Sequence, residues 1–431
     1  LLGGLFKIMS EYLGTKTAMV IAPGMYMKCA ECLARKFKTV YYHDPFWRTA
    51  FPKFTQAQMG MGLLKTEGVE KVNDVWNYID EVDLFVFPDC GFSDWSNYLR
   101  SIGKRVWHSG VADELELDRT GTLEYLKELG LEVPEYTNVK GLTNLREYLE
   151  KKKDVYIKLN FFRGSQETFK WENEKLSSPI LDRLESELSA VKDEMEFSIF
   201  TKIDGIEVAY DSYFCGGQHP QKVPFGLEIK DTGWFAVIKD FKDLPNPVKE
   251  LIDVITPTLT LNEYCNFLSP EMCLTSKNKG TLRDFCCRFP SPPSESYYEL
   301  ITNLPEIFWA GGNNEFIEPE YASPFVMSLV ICSDWAKDHI QAVYFPPEIS
   351  KNVKLRNYCI VDNCYYIIPN EVDKNDCIGV IVAHGKSLED CATQLNKIAD
   401  QVKGYQIKIP CAVVADMQKE IKAASEIGVS F

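Results

Sequence analysis

A chain of 431 residues with 47 Lys and Arg against 62 Asp and Glu carries a formal charge of −15, which excludes a protein built to coat nucleic acid. The same charge leaves room for a nucleotide, because one local cluster of Lys, Arg and metal can hold a triphosphate. The length exceeds one ordinary core and predicts about two to four domains, and no stretch approaches the ~20 apolar residues that span a bilayer.

Residues 1–8 (LLGGLFKI) are too short and unflanked for a signal peptide, which leaves Met9 as a candidate start. The fourteen cysteines are scattered through apolar segments such as Phe285-Cys286-Cys287. That usage predicts small buried hydrophobes in a reducing, cytoplasmic setting rather than a disulfide framework.

In chain order, 18–22 (AMVIA) reads as a short buried strand, followed by a helical stretch through Lys36. Strands follow at 39–43 (TVYYH), at 84–88 (LFVFP) after a helical 69–80, and at 105–108 (RVWH). Strands alternating with helices predict a parallel α/β layer. No Gly-x-Gly-x-x-Gly follows the first strand, so a dinucleotide fold is not expected.

From about residue 118 the pattern becomes α+β. A helix is expected at 118–129, closed by Gly130, and strands at 154–159, 199–203 and 207–214. Gly216-Gly217 marks a hairpin turn with φ > 0. Ser291-Pro292-Pro293 reads as a loop within a domain. Beyond residue 330, strands are expected at 342–345, 359–361, 365–368 and 378–383, and helices at 387–401 and 417–425. The absence of Gly/Ser linkers predicts contacting domains.

The Walker pattern Gly-x4-Gly-Lys-Ser/Thr is absent, so a phosphate site must be built otherwise. Lys158 lies in the apolar strand VYIKLN, where its ammonium needs an anionic partner or a path to water. The following segment offers Arg163, Gly164, Ser165 and Thr168, small donors and an arginine on a turn, which suit phosphate contact as well as a plain β-turn. Glu271 and Asp284 flank the turn Lys277-Asn278-Lys279-Gly280. Two strands joined there would set both carboxylates side by side, a pairing that repels unless a cation such as Mg²⁺ lies between. The alternative is that each faces solvent at a strand end. Arg288, four residues on, can offer charge to a phosphate or carboxylate.

The segment Asp284-Phe-Cys-Cys-Arg288-Phe-Pro-Ser-Pro-Pro293 resembles the metal-binding signature of glycinamide ribonucleotide synthetase (phosphoribosylamine–glycine ligase), typically Glu-Phe-Asn-x-Arg-Phe-Gly-Asp-Pro-Glu, an ATP-grasp family. The run 262–271 is similar to the strand with that family's other metal carboxylate. Gly226-Leu-Glu228-Ile-Lys230-Asp231 is similar to its Asp-x-Lys loop, Asp118-Arg119 with 130–136 to its helix and gly-ile-pro stretch, and 378–389 to its C-terminal domain.

The resemblance implies an N-terminal parallel-sheet (pre-ATP-grasp) domain at 1–115, a two-lobed ATP-grasp domain at 116–330 and a C-terminal α+β domain at 331–431. It implies a ligase that uses ATP and Mg²⁺ (or Mn²⁺) to join a small-molecule carboxylate, an amino acid among the candidates, to an amine. The chain would act as monomer or homodimer, with no membrane and no extended nucleic-acid surface. Carried over, Arg119 and Lys158 would contact ATP. Arg163, Gly164, Ser165 and Thr168 would belong to the phosphate-covering segment, and Glu207 would lie near ribose or metal. Glu271 and Asp284 would hold the metal, Lys230 would contact the phosphates, and Arg288 would stabilise acyl-phosphate oxygens.

Departures are plain. The family's metal-ligating Asn is Cys286, a soft group; Gly-Asp-Pro-Glu is Pro290-Ser291-Pro292-Pro293; the phosphate loop has one glycine; and the acidic ribose-gripping hinge reads Ile199-Phe200-Thr201-Lys202. They keep open a degenerate protein that binds nucleotide or a partner without turnover, and a ligase acting on a modified base or peptide amine. Cys29-x-x-Cys32 lacks the second pair a zinc site needs and reads as buried helix cysteines. His108 and Lys151-Lys152-Lys153 read as structural and solvated features respectively.

Overall fold

The computed structural model describes residues 9, 11–46, 54–159, 168–370 and 375–431; the 163–165 segment singled out above lies outside them. The N-terminal sheet is parallel, in the order Val69–Lys71, Thr39–His43, Thr17–Ile21, Leu84–Val86, Arg105–Trp107. Its first strand alternates, with Ala18 and Val20 in one core and Met19 and Ile21 in another, so the sheet is buried on both faces. The order reverses between Thr17–Ile21 and Leu84–Val86, and loops leaving such a point form a ligand-binding crevice in open α/β sheets.

The helix expected at 69–80 does not form. Val69, Glu70 and Lys71 pair in register with Val40, Tyr41 and Tyr42, and only Val75–Tyr78 turns as a 3₁₀ helix. An available sheet edge overrides a helical pattern in a segment this short.

Two antiparallel layers follow. The smaller has the order Tyr136–Lys140, Glu196–Thr201, Val155–Leu159, Thr168–Trp171. Helices Leu142–Leu149 and Glu174–Leu188 cover it, with Leu145, Leu149, Leu181 and Leu184 packed on Ile157, Trp171 and Ile199. The larger sheet has eight strands: Lys279–Asp284, Glu271–Ser276, Ile206–Tyr210, Lys222–Ile229, Gly233–Asp240, Phe325–Cys332, Cys377–Gly385 and Val353–Leu355. It runs through residue 330 without interruption, so the C-terminal strands extend the sheet begun at 206. Helix Asn246–Leu261 backs it through Val248, Leu251, Ile252 and Ile255. A further sheet joins Tyr358–Val361, Cys364–Ile367, Gln341–Tyr344 and Lys403–Gly404.

The expected strand 207–214 is two strands. At Asp211 the chain leaves the large sheet, and Ser212–Phe214 pairs instead with Asn266–Leu268. The buried Asp211 carboxylate holds that corner, accepting from Trp234 Nε1 at 2.9 Å and Ser269 Oγ at 2.7 Å. Pro270, which has no N–H for a ladder, separates strand Asn266–Leu268 from strand Glu271–Ser276. Gly216 and Gly217 adopt φ of 58° and 74°, as a hairpin turn requires.

The register Ser212↔Leu268, Tyr213↔Phe267, Phe214↔Asn266 sets Cys215 opposite Cys265, and these two are disulfide-bonded. The expectation of free thiols is corrected for this pair; the other twelve cysteines form no disulfide. Among the described residues, no helix is long and apolar enough to cross a membrane.

Candidate functional site

The hairpin at the edge of the large sheet is the base of the site. Its register sets Glu271 opposite Asp284, and Glu271 also lies opposite Ala209 on the neighbouring strand, two residues beyond Glu207. Val208, Met272, Leu274 and Leu282 enter the core behind the sheet, so by alternation Glu207 and Glu271 project from the other face.

The smaller sheet supplies the opposing wall. In Val155–Leu159, Val155, Ile157 and Leu159 enter the lobe's core, which turns Lys158 outward. Its Nζ is 2.9 Å from Asp284 Oδ2 and 3.4 Å from the Arg283 carbonyl, and Thr168 is its register partner. Arg119 is the first residue of helix Arg119–Glu128, whose N-cap Asp118 accepts from Gly121 N–H. Its Nε is 3.5 Å from Asp284 Oδ1. Two cations from separate elements thus converge on one carboxylate.

The electrostatics follow from that crowding. Burial pushes the Asp284 carboxyl up, but Lys158 and Arg119 outweigh it and hold the group far below the usual range. Glu271 has no such pairing, and burial, then Glu207 and Asp284, push its carboxyl up to about 8. Glu228 is raised well above its ordinary value by burial and then by Glu271. Lys230, just past the end of Lys222–Ile229, is opposed by burial, yet Glu271, Glu228, Glu207 and Asp284 raise its pKa. Lys230 and Lys158 oppose the rise at Glu271 without cancelling it.

The structure thus brings Arg119, Lys158, Thr168, Glu207, Lys230, Glu271 and Asp284 to one cleft, while Arg163, Gly164 and Ser165 fall outside the described residues. Among the described residues, no group of three or more His, Cys, Asp or Glu is arranged to hold a metal ion. The hard oxygens of Glu271 and Asp284, set opposite one another in the hairpin register, nonetheless suit Mg²⁺. Cys286 does not suit it. Burial pushes its thiol well up, so it is neutral, and its Sγ rests 3.6 Å from the Arg288 carbonyl.

Arg288 sits where this cleft meets the N-terminal sheet. Its Nε donates to Glu116 Oε1 at 2.8 Å and lies 3.7 Å from Asp89 Oδ1, and its Nη1 donates to the Tyr26 hydroxyl at 3.0 Å. Glu116, Tyr26 and Asp89 were not legible as site residues, since none sits in a recognisable motif. Arg283, paired with Glu207 and set over the Tyr156 ring at 5.8 Å, was also missed; its alternation with Asp284 was the only signal. His108, expected to be structural, is fully buried with Nδ1 2.8 Å from Ser96 Oγ.

No protein-family model matches the chain, and no curated protein matches it by sequence. Solved structures do match. Phosphoribosylamine–glycine ligase from Thermotoga maritima superposes with a TM-score of 0.68 at 13% identity, over 91% of this chain and 98% of that one. The biotin carboxylase domain of Hydrogenobacter thermophilus 2-oxoglutarate carboxylase, solved with MgADP and bicarbonate, gives 0.63 at 11% over 94% of each chain. The L-amino acid ligase from Bacillus licheniformis gives 0.58 at 13%, over 91% of this chain and 98% of that one. With its parallel N-terminal sheet, two antiparallel lobes and mixed C-terminal region, the chain has the ATP-grasp fold and resembles phosphoribosylamine–glycine ligase in structure.

Proposed function

We propose that this protein is an ATP-dependent carboxylate–amine ligase that forms an amide through an acyl phosphate, in the manner of phosphoribosylamine–glycine ligase. The observation that carries it is the convergence of Lys158 and Arg119 on Asp284, beside the under-neutralised Glu271, between two lobes of an ATP-grasp fold. A triphosphate entering such a cleft would exchange one set of ion pairs for another: Lys158 and Arg119 would turn from Asp284 to phosphate oxygens, which would leave Asp284 and Glu271 to hold a cation.

Glu271 and Asp284 would hold Mg²⁺ (or Mn²⁺), which when bound neutralises charge on the phosphates. Lys158, Arg119 and Lys230 would fix the triphosphate, with 163–165 and Thr168 covering it and Glu207 near ribose or metal. Arg288 would face the γ-phosphate and the substrate carboxylate. As a carboxylate oxygen attacks the γ-phosphorus and the bond to ADP breaks, negative charge spreads over the transferring phosphoryl oxygens, and a fixed guanidinium stabilises it without reorganising. An amine then attacks the acyl carbon, phosphate leaves, and the nitrogen loses a proton to solvent to give the amide. Positioning and charge neutralisation suffice, so no covalent nucleophile is required. An N-terminal domain at 1–115, a monomeric or homodimeric state and a cytoplasmic location belong to the same proposal; the division expected at 330 does not, since strand Phe325–Cys332 crosses it.

One observation favours a second reading, a protein that binds nucleotide or a partner without turnover: the neutral, half-buried thiol of Cys286 where the resembled family has a metal-ligating Asn. ADP release measured with MgATP, a panel of amino acids and an amine acceptor separates the two. Carboxylate-dependent ADP with a matching product mass supports the ligase; tight MgATP binding with no ADP from any member leaves the binding protein standing.

A further inference from the structure

The segment 284–288 carries both the Asp284 carboxylate and the Arg288 guanidinium, and one short stretch of chain grips it at both ends. Arg119 reaches Asp284, and Glu116, three residues earlier, reaches the other end. The Glu116 side chain is 6% exposed, and its two oxygens divide the work: Oε1 accepts from Arg288 Nε and Oε2 from the Cys287 backbone N–H, both at 2.8 Å. Such a bidentate grip fixes the guanidinium plane and the backbone that carries it.

Tyr26 completes the hold from the N-terminal sheet. Its hydroxyl donates to the Phe289 carbonyl at 3.2 Å and accepts from Arg288 Nη1 at 3.0 Å. Nη1 also donates to the Phe289 carbonyl at 3.3 Å. The single Nε–H and both Nη1 protons are therefore used. Among the described residues, Nη2 donates to nothing.

We infer that Glu116, with Tyr26, is a positioning residue for the proposed reaction: it immobilises Arg288 so that the Nη2 edge alone faces the substrate. This rests on the ligase reading. A free arginine must lose rotamer freedom as charge develops, whereas one already pinned through Nε and Nη1 loses little. Because Glu116 lies on the stretch linking the N-terminal sheet to helix Arg119–Glu128 and Tyr26 on the loop after strand Thr17–Ile21, the guanidinium is aimed only while those parts are docked.

The test is a double-mutant cycle of Glu116→Gln and Arg288→Ala, read as ADP release with the amino-acid panel. Glu116→Gln alone should lower kcat about tenfold or more with the KM for ATP within about threefold, since ATP is held by other residues. In the Arg288→Ala background the same change should cost less than about twofold, because the residue through which Glu116 acts is gone. Additive losses in the double variant, or an unchanged kcat in Glu116→Gln, would overturn the inference. Glu116→Asp, which keeps the charge, should recover part of the loss if the glutamine variant folds poorly.

If the wild-type protein releases no ADP, the ligase reading fails by itself, and the positioning contact is judged directly. In protein labelled with ¹⁵N-arginine, the Nε–H resonance that disappears in Arg288→Ala should be sharp in the wild type and broadened by solvent exchange in Glu116→Gln. An unaltered resonance in Glu116→Gln would show that Glu116 does not hold Arg288.

Discussion

Replacing Lys158 by Met keeps the aliphatic stem and removes only the ammonium, so it separates the cost of an ion pair from the cost of packing. In the protein as it stands, that ammonium is 2.9 Å from Asp284, with the two side chains 13% and 35% exposed. A charge-assisted hydrogen bond contributes about 1.5–3 kcal/mol when well shielded, but solvent reaches Asp284 and Arg119 remains 3.5 Å away on its other oxygen. The loss in stability should therefore be about 1 kcal/mol or less, a fall in Tm of about 1 °C for a chain of this size. Nucleotide binding should suffer more. In a cleft closed over a triphosphate the same ammonium is fully desolvated, and losing its phosphate contact should cost about 2–3 kcal/mol, or roughly 30- to 150-fold in Kd. Isothermal titration with MgADP and MgATP, beside calorimetric melting, gives both numbers. If MgATP affinity stays within threefold of wild type while the fold is intact, Lys158 does not grip phosphate and the proposed nucleotide site is wrong.

Glu271→Gln should leave apo stability unchanged or slightly raised, because the amide resembles the protonated form that burial and its neighbours favour. The Mg²⁺ concentration needed for half-maximal ATP binding should meanwhile rise at least about tenfold, as for loss of one ligand charge; titration of Mg²⁺ against a fixed nucleotide checks it. Cys286→Asn introduces a hard oxygen donor and should lower that Mg²⁺ requirement if the ion sits beside residue 286, and leave it untouched if the site lies elsewhere. Asp113→Asn should expose a pH dependence that the wild type hides. Burial, then Arg100, lowers His108 to about 3, so its contribution is lost as pH falls from its ordinary 6.5; burial raises Asp113 to about 7, so its contribution is lost as pH rises from 3.8. The slopes oppose one another between pH 4 and 6.5, and removing Asp113 should leave a loss of about 1.4 kcal/mol per pH unit on acidification, measurable by urea unfolding; parallel curves for the two proteins would refute it.

Much of the fold was legible because local pattern and tertiary context agree there. The runs 39–43 and 84–88 are short and apolar, and a strand buried on both faces needs no other signal; the second forms over Leu84–Val86 and stops ahead of Pro88. Where they disagree, context won. Val69–Lys71 reads as the start of a helix until a parallel edge beside Thr39–His43 is available. Asp211 reads as the interior of a strand until its carboxylate is seen capping Trp234 and Ser269 at a corner. The pairing of Glu271 with Asp284 followed from turn length alone, but the meeting of Lys158 and Arg119 with Asp284 did not, since 126 residues separate Lys158 from Asp284. Glu116 was invisible for a simpler reason. Nothing in Glu-Leu-Glu-Leu distinguishes a carboxylate that holds an arginine from one that faces water.

The charge arrangement divides the acidic side chains of the cleft into two classes. Buried carboxylates repel unless a cation lies among them, and an isolated buried charge is costly enough that the group takes up a proton instead. Here the two outcomes are divided between neighbours. Asp284 borrows Lys158 and Arg119, the very cations that a triphosphate would claim, while Glu271 and Glu228 are driven toward their neutral forms. On the ligase reading proposed above, a bound nucleotide would draw Lys158 and Arg119 to its phosphates, and Asp284 and Glu271 would be left to a divalent ion. Nucleotide and metal would then be coupled through one aspartate, since either alone would leave an unpaired charge beside it. On this view affinity for ATP without divalent ion, and for divalent ion without ATP, is poor for the same physical reason.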